Sequence, residues 1–279
     1  GKSRMNRIKN KAAIRLGIFS VLALLLIGIA VCGSLLAPYD PLASDYTASL
    51  SPPDNLHLFG TDKLGRDILS RILCGAGSSF FLTFVMVVLV TVIGTLVGLA
   101  AGYKGGMTDG LLMRLMDILL AFPGSVFAIA VTGIIGAGIL NTVAALALVW
   151  WTKYARLVRS MTISLKDRDF VWQARYGGAS EIKILLCYIL PEVMPQVITM
   201  AAMDIGNMMI SLAGLSFLGL ASQPPAPEWG YMLYESRQYM QTAPWMMIFP
   251  GLALLVTVMV FNLLGDSVRD FLDPKNGME

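Results

Sequence analysis

SFFLTFVMVVLVTVIGTLVGLAAGY, residues Ser79 to Tyr103, runs for 25 residues without a charged side chain. A transmembrane α-helix needs about 20 mainly apolar residues. In lipid, every backbone N–H and C=O must be satisfied within a helix or a closed barrel. Barrel strands would be shorter and would alternate, so this run reads as a spanning helix. Five further stretches read the same way. They are Ile14–Ala37, Leu115–Ile135, Asn141–Val158, Val193–Gly214 and Trp245–Leu264. The first is stopped by Pro38-Tyr39-Asp40-Pro41. It is too long for the apolar core of a cleavable signal peptide, and no small-x-small cleavage site follows it, so it reads as retained.

Composition agrees. Of 279 residues, 56% are hydrophobic and 14% charged, and mean hydropathy is +0.69. Ordinary soluble domains carry about 25% charged residues. These values exclude a soluble enzyme, a disordered chain and a secreted disulfide scaffold. Three Cys and one His argue against a Cys/His metal site or a disulfide framework, and free thiols are expected at Cys32, Cys74 and Cys187. His57 stands alone in its loop, which argues against a ligand role.

Lys and Arg are retained on the cytoplasmic side. Before the first apolar run stand Lys2, Arg4, Arg7, Lys9, Lys11 and Arg15 with no acid. With this end inside, six spans place 17 of the 21 Lys and Arg inside and 4 in the two large outer loops. A missed or false span would spoil that bias. The expected organisation is a cytoplasmic basic N-terminus 1–13, a membrane domain 14–264 and a cytoplasmic tail 265–279. Within the membrane domain, loops 38–78 and 215–244 lie outside and loop 159–191 inside.

The outer segment 38–78 ends in Phe59-Gly60-Thr61-Asp62-Lys63-Leu64-Gly65-Arg66-Asp67. Asp62 can cap a helix. Leu64, Ile68, Leu69, Ile72 and Leu73 then recur at helical spacing, which predicts an amphipathic helix covering the second span at the interface. The second outer loop contains Gln223-Pro224-Pro225-Ala226-Pro227-Glu228-Trp229-Gly230, a stiff turn. Trp229, Tyr231, Tyr234 and Tyr239 suit the interfacial aromatic belt.

The inner segment from Lys153 to Pro191 carries seven Lys and Arg against three acids. Asp169-Phe170-Val171-Trp172-Gln173-Ala174-Arg175 reads as a short amphipathic helix, and Gly177-Gly178-Ala179-Ser180 as a flexible turn. A helix resumes at Glu181, and Pro191 and Pro195 are expected to break or kink the approach to the fifth span. Such a helix–turn–helix suits docking into a partner's groove; it equally suits a solvated basic loop.

Two acids fall inside the runs. Asp117 lies three residues from Arg114, which suggests a local ion pair. Asp204 lies mid-span. Met200, Asp204, Asn207, Met208 and Ser211 recur at helical spacing as a polar and thioether stripe, with Ala201, Ala202 and Gly206 allowing close packing. An intramembrane carboxylate is costly, so Asp204 either lines a pathway or holds two helices together. There is no Gly-x-x-x-x-Gly-Lys-[Ser/Thr] loop and no catalytic constellation. Energy for uphill transport must come from an ion gradient or a partner ATPase.

Several motifs sharpen this. They are Phe59-Gly60-Thr61-Asp62 with Gly65-Arg66-Asp67 and Ser70-Arg71; Ala101-Gly102-Tyr103-Lys104-Gly105-Gly106 with Asp109, Met113-Arg114 and Asp117; and Tyr154-Ala155-Arg156 with Val158-Arg159. Further along stand Leu215-Ser216-Phe217-Leu218-Gly219; Glu228-Trp229-Gly230; and Asn262 with Gly265-Asp266, Arg269-Asp270 and Leu272-Asp273-Pro274. From about Leu36 onward the chain resembles the second (C-type) permease subunit of ABC importers in the dipeptide/oligopeptide/nickel family. Asp204-Ile205-Gly206, Met208-Met209, Ala213-Gly214 and Arg237-Gln238-Tyr239 look most like the nickel and metallophore branch.

The resemblance implies an all-α membrane protein with the six-helix type I importer permease fold. It implies a homologous second permease, two ATP-binding subunits and an extracytoplasmic substrate-binding protein in a bacterial inner membrane. ATP and Mg would sit on the partner subunits, with no cofactor and no catalytic residue on this chain. The family's coupling loop reads Glu-Ala-Ala-x-x-x-Gly, then an x-x-Leu-Pro end. Ala174, Gly178, Leu190 and Pro191 match it; Trp172 replaces the Glu, Gln173 replaces the first Ala, and Ala179 follows the Gly. The implied function is half of an alternating-access path for nickel or a nickel chelate, with the stripe around Asp204 lining it. The alternatives are a di- or oligopeptide importer, a gradient-driven carrier and a non-transporting scaffold.

Overall fold

The computed structural model describes residues 2–221 and 224–272, and the side chains of 13–221 and 224–271. The side chains of Lys2, Arg4, Arg7, Lys9 and Lys11, Gln223, and the tail 273–279 with Asp273-Pro274 lie outside the described residues. The helices are α1 (Lys2–Leu36), α2 (Ile68–Lys104), α3 (Gly106–Leu120), α4 (Gly124–Ile135), α5 (Ile139–Leu165), α6 (Asp169–Tyr176), α7 (Glu181–Ile184), α8 (Leu190–Phe217), α9 (Trp229–Ser236) and α10 (Trp245–Leu272). No strand occurs among the described residues.

Ala13–Leu36, Ile68–Lys104, Glu181–Phe217 and Trp245–Phe271 are long and apolar enough to cross a membrane. The expected third span is not one helix: α3 and α4 meet at 87°. Pro123 explains this, because a proline drives the residue before it out of the helical region. The expected fourth span lies within α5. Its 27 residues are long enough to cross, at roughly 40 Å, but Lys153, Arg156 and Arg159 interrupt its apolar character.

The largest helix contact joins α2 to α5. Gly94, Gly98 and Gly102 recur every fourth residue on one face of α2. A Cβ on Gly94 would collide with Tyr154 Cβ, one on Gly98 would sit 2.6 Å from the Ala155 carbonyl oxygen, and one on Gly102 2.7 Å from Thr162 Cβ. Small residues at this spacing let two backbones touch, which supplies the dispersion contacts that hold helices together in lipid. The same device joins α8 to α10, where Gly206 abuts the Asn262 side chain and Gly265 abuts Met203 Cα. The close packing expected around Gly206 is thus present.

The outer segment differs from expectation at its end. Asp67, not Asp62, caps α2, its Oδ2 accepting from Ser70 N at 2.8 Å. Asp62 Oδ1 instead accepts from Leu64 N and Arg66 N at 2.8 and 3.0 Å, closing the turn that contains Gly65. No separate interfacial helix forms, because residues 68–78 are the first turns of α2. The two arginines of this segment are buried. Arg66 Nη2 and Arg71 Nη2 each donate to Glu235 Oε2 at 3.2 Å, and Arg66 Nε donates to Asp62 Oδ2 at 2.6 Å. Lys63 Nζ lies 3.2 Å from Glu235 Oε1. Glu235→Ala leaves two buried guanidinium groups with Asp62 as their shared acid, at a cost of about 3–5 kcal/mol. The expected result is a clear drop in the thermal unfolding midpoint of the detergent-solubilised complex; an unchanged midpoint would contradict the ion network.

The segment around Glu228 is not a surface belt. Trp229 is buried and its Nε1 donates to the Ile72 carbonyl at 2.9 Å. The Glu228 carboxylate caps α9 through Gly230 N and Tyr231 N at 2.8 and 2.9 Å. A Cβ on Gly230 would strike Ala213 Cα at 2.7 Å, so α9 packs directly against α8. Tyr231 is buried, while Tyr234 and Tyr239 are half-buried.

Candidate functional site: a coupling turn joined to an intramembrane charge centre

The helix α6 is anchored by Val171, which is fully buried, while Trp172, Gln173 and Tyr176 are exposed. The Arg175 guanidinium stacks 4.7 Å over the Trp172 ring and donates to the Tyr103 hydroxyl at 3.3 Å. That bond ties α6 to the end of α2. The turn after α6 is defined rather than flexible. Ala179 N donates to the Ala174 carbonyl at 3.0 Å and Gly178 N to the Arg175 carbonyl at 3.1 Å, the two bonds of a Schellman motif. The motif needs a left-handed residue, and Gly178 supplies it at φ +82°. Ser180 then caps α7, accepting from Lys183 N at 3.4 Å.

Between α6 and α7 lies an open groove of about 590 Å³. Gln173, Ala174, Gly178, Ala179, Lys183 and Tyr188 are among its walls. The expected site residues Gln173, Ala174, Gly178 and Ala179 therefore meet at one feature. Trp172 lies outside the groove on the exposed flank, and Leu190 and Pro191 lie beyond it at the start of α8.

The prolines do not break the helix as expected. Leu185–Ile189 forms a π-turn, with Leu190 N bonded to the Leu185 carbonyl. Pro195 is carried inside α8. The consequence is one continuous helical rod from Glu181 to Phe217, and Asp204 lies roughly 36 Å along it from Ser180.

Asp204 is buried and sits at the α5–α8 contact. Lys153 Nζ lies 3.1 Å from both carboxylate oxygens, the Tyr154 hydroxyl donates to Oδ2 at 3.2 Å, and Asn207 Nδ2 lies 3.5 Å from Oδ1. The carboxylate thus holds two helices together. The expected stripe is split: Met208 is fully buried, Met200 and Ser211 are half-exposed, and Asn207 is exposed. Asp117 pairs across to Arg156 instead of Arg114. Asp109 pairs with Arg159, whose Nη2 donates to Oδ2 at 2.6 Å. These two pairs fix α3 to α5 and satisfy the charges on the second half of α5. Among the described residues, no three His, Cys, Asp or Glu side chains gather as a metal site.

Two features escape a reading of the sequence by spans and charge bias. Lys153 counts there only as an inner cation, although with Arg156 it falls inside the run Asn141–Val158. The Gly94/Gly98/Gly102 spacing is a visible signal of close helix packing that such a reading passes over.

Known proteins place these features in context. The family model described as "Binding-protein-dependent transport system inner membrane component" matches residues 94–277. The nickel transport system permease protein NikC of Escherichia coli (strain K12) is 41% identical over 267 residues, covering 96% of each chain. The glutathione transport system permease protein GsiD of Shigella flexneri serotype 5b (strain 8401) is 48% identical over 257 residues, covering 92% of this chain and 85% of that one. Among solved structures, an inward-facing MetNI methionine ABC transporter chain aligns with a TM-score of 0.56 at 19% identity, over 72% of this chain and 96% of that one. The fold is accordingly that of a type I ABC importer permease. The chain belongs to the binding-protein-dependent transport system inner membrane component family, within its dipeptide/oligopeptide/nickel permease group.

Proposed function

We propose that this chain forms half of the translocation path of an ATP-driven importer for nickel or a nickel chelate. A homologous permease forms the other half, two ATP-binding subunits dock at α6, and an extracytoplasmic binding protein delivers cargo at the α9 end. Both termini then face the cytoplasm, with residues 38–78 and 215–244 outside, 159–191 and 265–279 inside. ATP and Mg belong to the ATP-binding subunits, and this chain performs no bond chemistry.

The observation that carries the reading is the unbroken rod Glu181–Phe217. It joins the turn at Gly178 to Asp204 with no break in the helix at Pro191 or Pro195. Closure of the ATP-binding subunits pushes Trp172, Gln173, Ala174, Gly178 and Ala179. Through Leu190 and Pro191 the push tilts α8, and the bundle opens outward. Cargo then passes the face carrying Asn207, Ser211 and Met200, backed by Asp204 and Met208. Nickel as cargo is supported by the nickel permease relative, matched over 96% of its length.

A second reading, a glutathione or short-peptide importer, is favoured by the higher identity to the glutathione permease. Proteoliposomes carrying the full complex and its binding protein separate the two. ATP-driven accumulation of radioactive nickel, free or chelated, supports the first reading. Accumulation of glutathione or a dipeptide without nickel supports the second. Uptake driven by an ion gradient without the ATP-binding subunits would overturn both.

A further inference from the structure

Lys153 and Asp204 are unequally placed. The Asp204 side chain is 6% exposed and the Lys153 side chain 43% exposed. The carboxylate is held on every side, by Lys153, the Tyr154 hydroxyl and Asn207 Nδ2. The ammonium is not. It carries three donors, both of its hydrogen bonds go to Asp204, and Trp150 flanks it at 4.8 Å to the ring centroid. Its remaining face is exposed, and exposed Asn207 shares the same Asp204 carboxylate. Ionisable groups within spanning helices face the bundle interior or a water-filled cavity, so that face is taken to border water, cargo or another protein chain.

We propose that Lys153 is the anion-recognising group of the translocation path and that cargo presents a carboxylate to it. The proposal rests on the reading that α5 and α8 line the path, and it narrows the cargo class. A bare divalent cation meets the ammonium first, since Asp204 lies behind it. A metal carried as a carboxylate chelate and a peptide-like carboxylate share the chemistry that fits. Because Asp204 already neutralises Lys153, an arriving carboxylate exchanges with or shares an existing partner. It does not fall onto a bare charge. Attraction is then strong enough to admit cargo and weak enough to release it, as a conducting path requires. Asp204 and Tyr154 act as positioning residues that keep the ammonium on the open face.

The test uses the full complex with its binding protein in proteoliposomes. The probes are nickel citrate, glutathione, and nickel in a non-coordinating buffer. Lys153→Gln alone strands the buried Asp204, so the deciding variant is Lys153→Gln combined with Asp204→Asn, which removes both charges together. Binding-protein-stimulated ATP hydrolysis is measured in the same vesicles, so that transport is read as cargo moved per ATP. Cargo moved per ATP should fall about tenfold or more, the loss of one charge-assisted hydrogen bond. Lys153→Arg should keep most of the wild-type ratio. Loss with nickel citrate identifies a chelate as the source of the carboxylate, and loss with glutathione identifies a peptide. A wild-type ratio in the double variant, or wild-type uptake confined to bare nickel, overturns the proposal. Absence of any ATP-driven uptake by the unaltered complex would instead overturn the importer reading itself.

Discussion

Replacing Gly98 by Leu is expected to abolish accumulation of the folded protein in the membrane. The Cβ of any side chain there meets the Ala155 carbonyl oxygen at 2.6 Å and Val158 Cβ at 2.7 Å. The first of these is backbone and cannot rotate away, so α2 and α5 must separate. Overpacking of a well-packed site costs about 1–3 kcal/mol, and more where backbone must move. The separation also spreads. α5 carries Lys153, Arg156 and Arg159, whose partners lie on α8 and α3. Displacing α5 leaves those charges unmatched. Gly98→Ala should show an intermediate loss. Gly110→Leu is the control, because a Cβ on Gly110 meets nothing within 4 Å. Membrane abundance and size-exclusion profile of tagged variants read the outcome. Normal abundance of Gly98→Leu would mean that the α2–α5 contact is not as close as described.

Gly178→Val is expected to leave the protein in the membrane and stop its ATP-driven uptake. Gly178 sits at φ +82°, and a Cβ added there would meet nothing within 4 Å, so the obstacle is backbone conformation and not space. A left-handed non-glycine residue costs about 1–2 kcal/mol, and a β-branched one is a genuine outlier there. The chain escapes by unwinding the Schellman motif, which moves Ala174 and Ala179 out of the groove. Since about 1.4 kcal/mol corresponds to tenfold, uptake should fall about 5–30-fold. Gly177→Ala is the matched control, because Gly177 has φ −72°. Wild-type uptake by Gly178→Val would show that the turn plays no part in coupling.

The long apolar helices were legible because lipid leaves the backbone few alternatives. Ser79–Tyr103 needed no tertiary information to be read as a helix, and α2 contains it whole. The bend between α3 and α4 was signalled by Pro123, but the apolar run Leu115–Ile135 masked it. The prolines at 191 and 195 misled in the opposite direction. Local rules predict a break or kink there, yet the helix runs on through both residues, with a π-turn just before Pro191. Ion pairs followed a third logic. Asp117 has Arg114 one turn away, yet it meets Arg156, 39 residues distant, because α3 lies against α5. Lys153 and Asp204 are 51 residues apart, so neither span discloses the pair alone. The turn at Gly177–Ser180 was legible from its glycines and the flanking helical patterns, and the coupling role proposed for it came only from its likeness to a family motif. The left-handed conformation of Gly178 now gives that glycine a physical reason.

The most direct test of the central claim is cross-linking at α6. With Cys32, Cys74 and Cys187 replaced by Ser, a single cysteine is introduced as Gln173→Cys or Tyr176→Cys, both exposed positions. That cysteine is labelled with benzophenone maleimide, which is photoactivated in the assembled, transport-competent complex. The expected result is a covalent adduct with an ATP-binding subunit, in a yield that changes when ATP is bound. No adduct at either position, in a complex that still imports its cargo, would contradict the claim that α6 is where nucleotide-driven motion enters this chain.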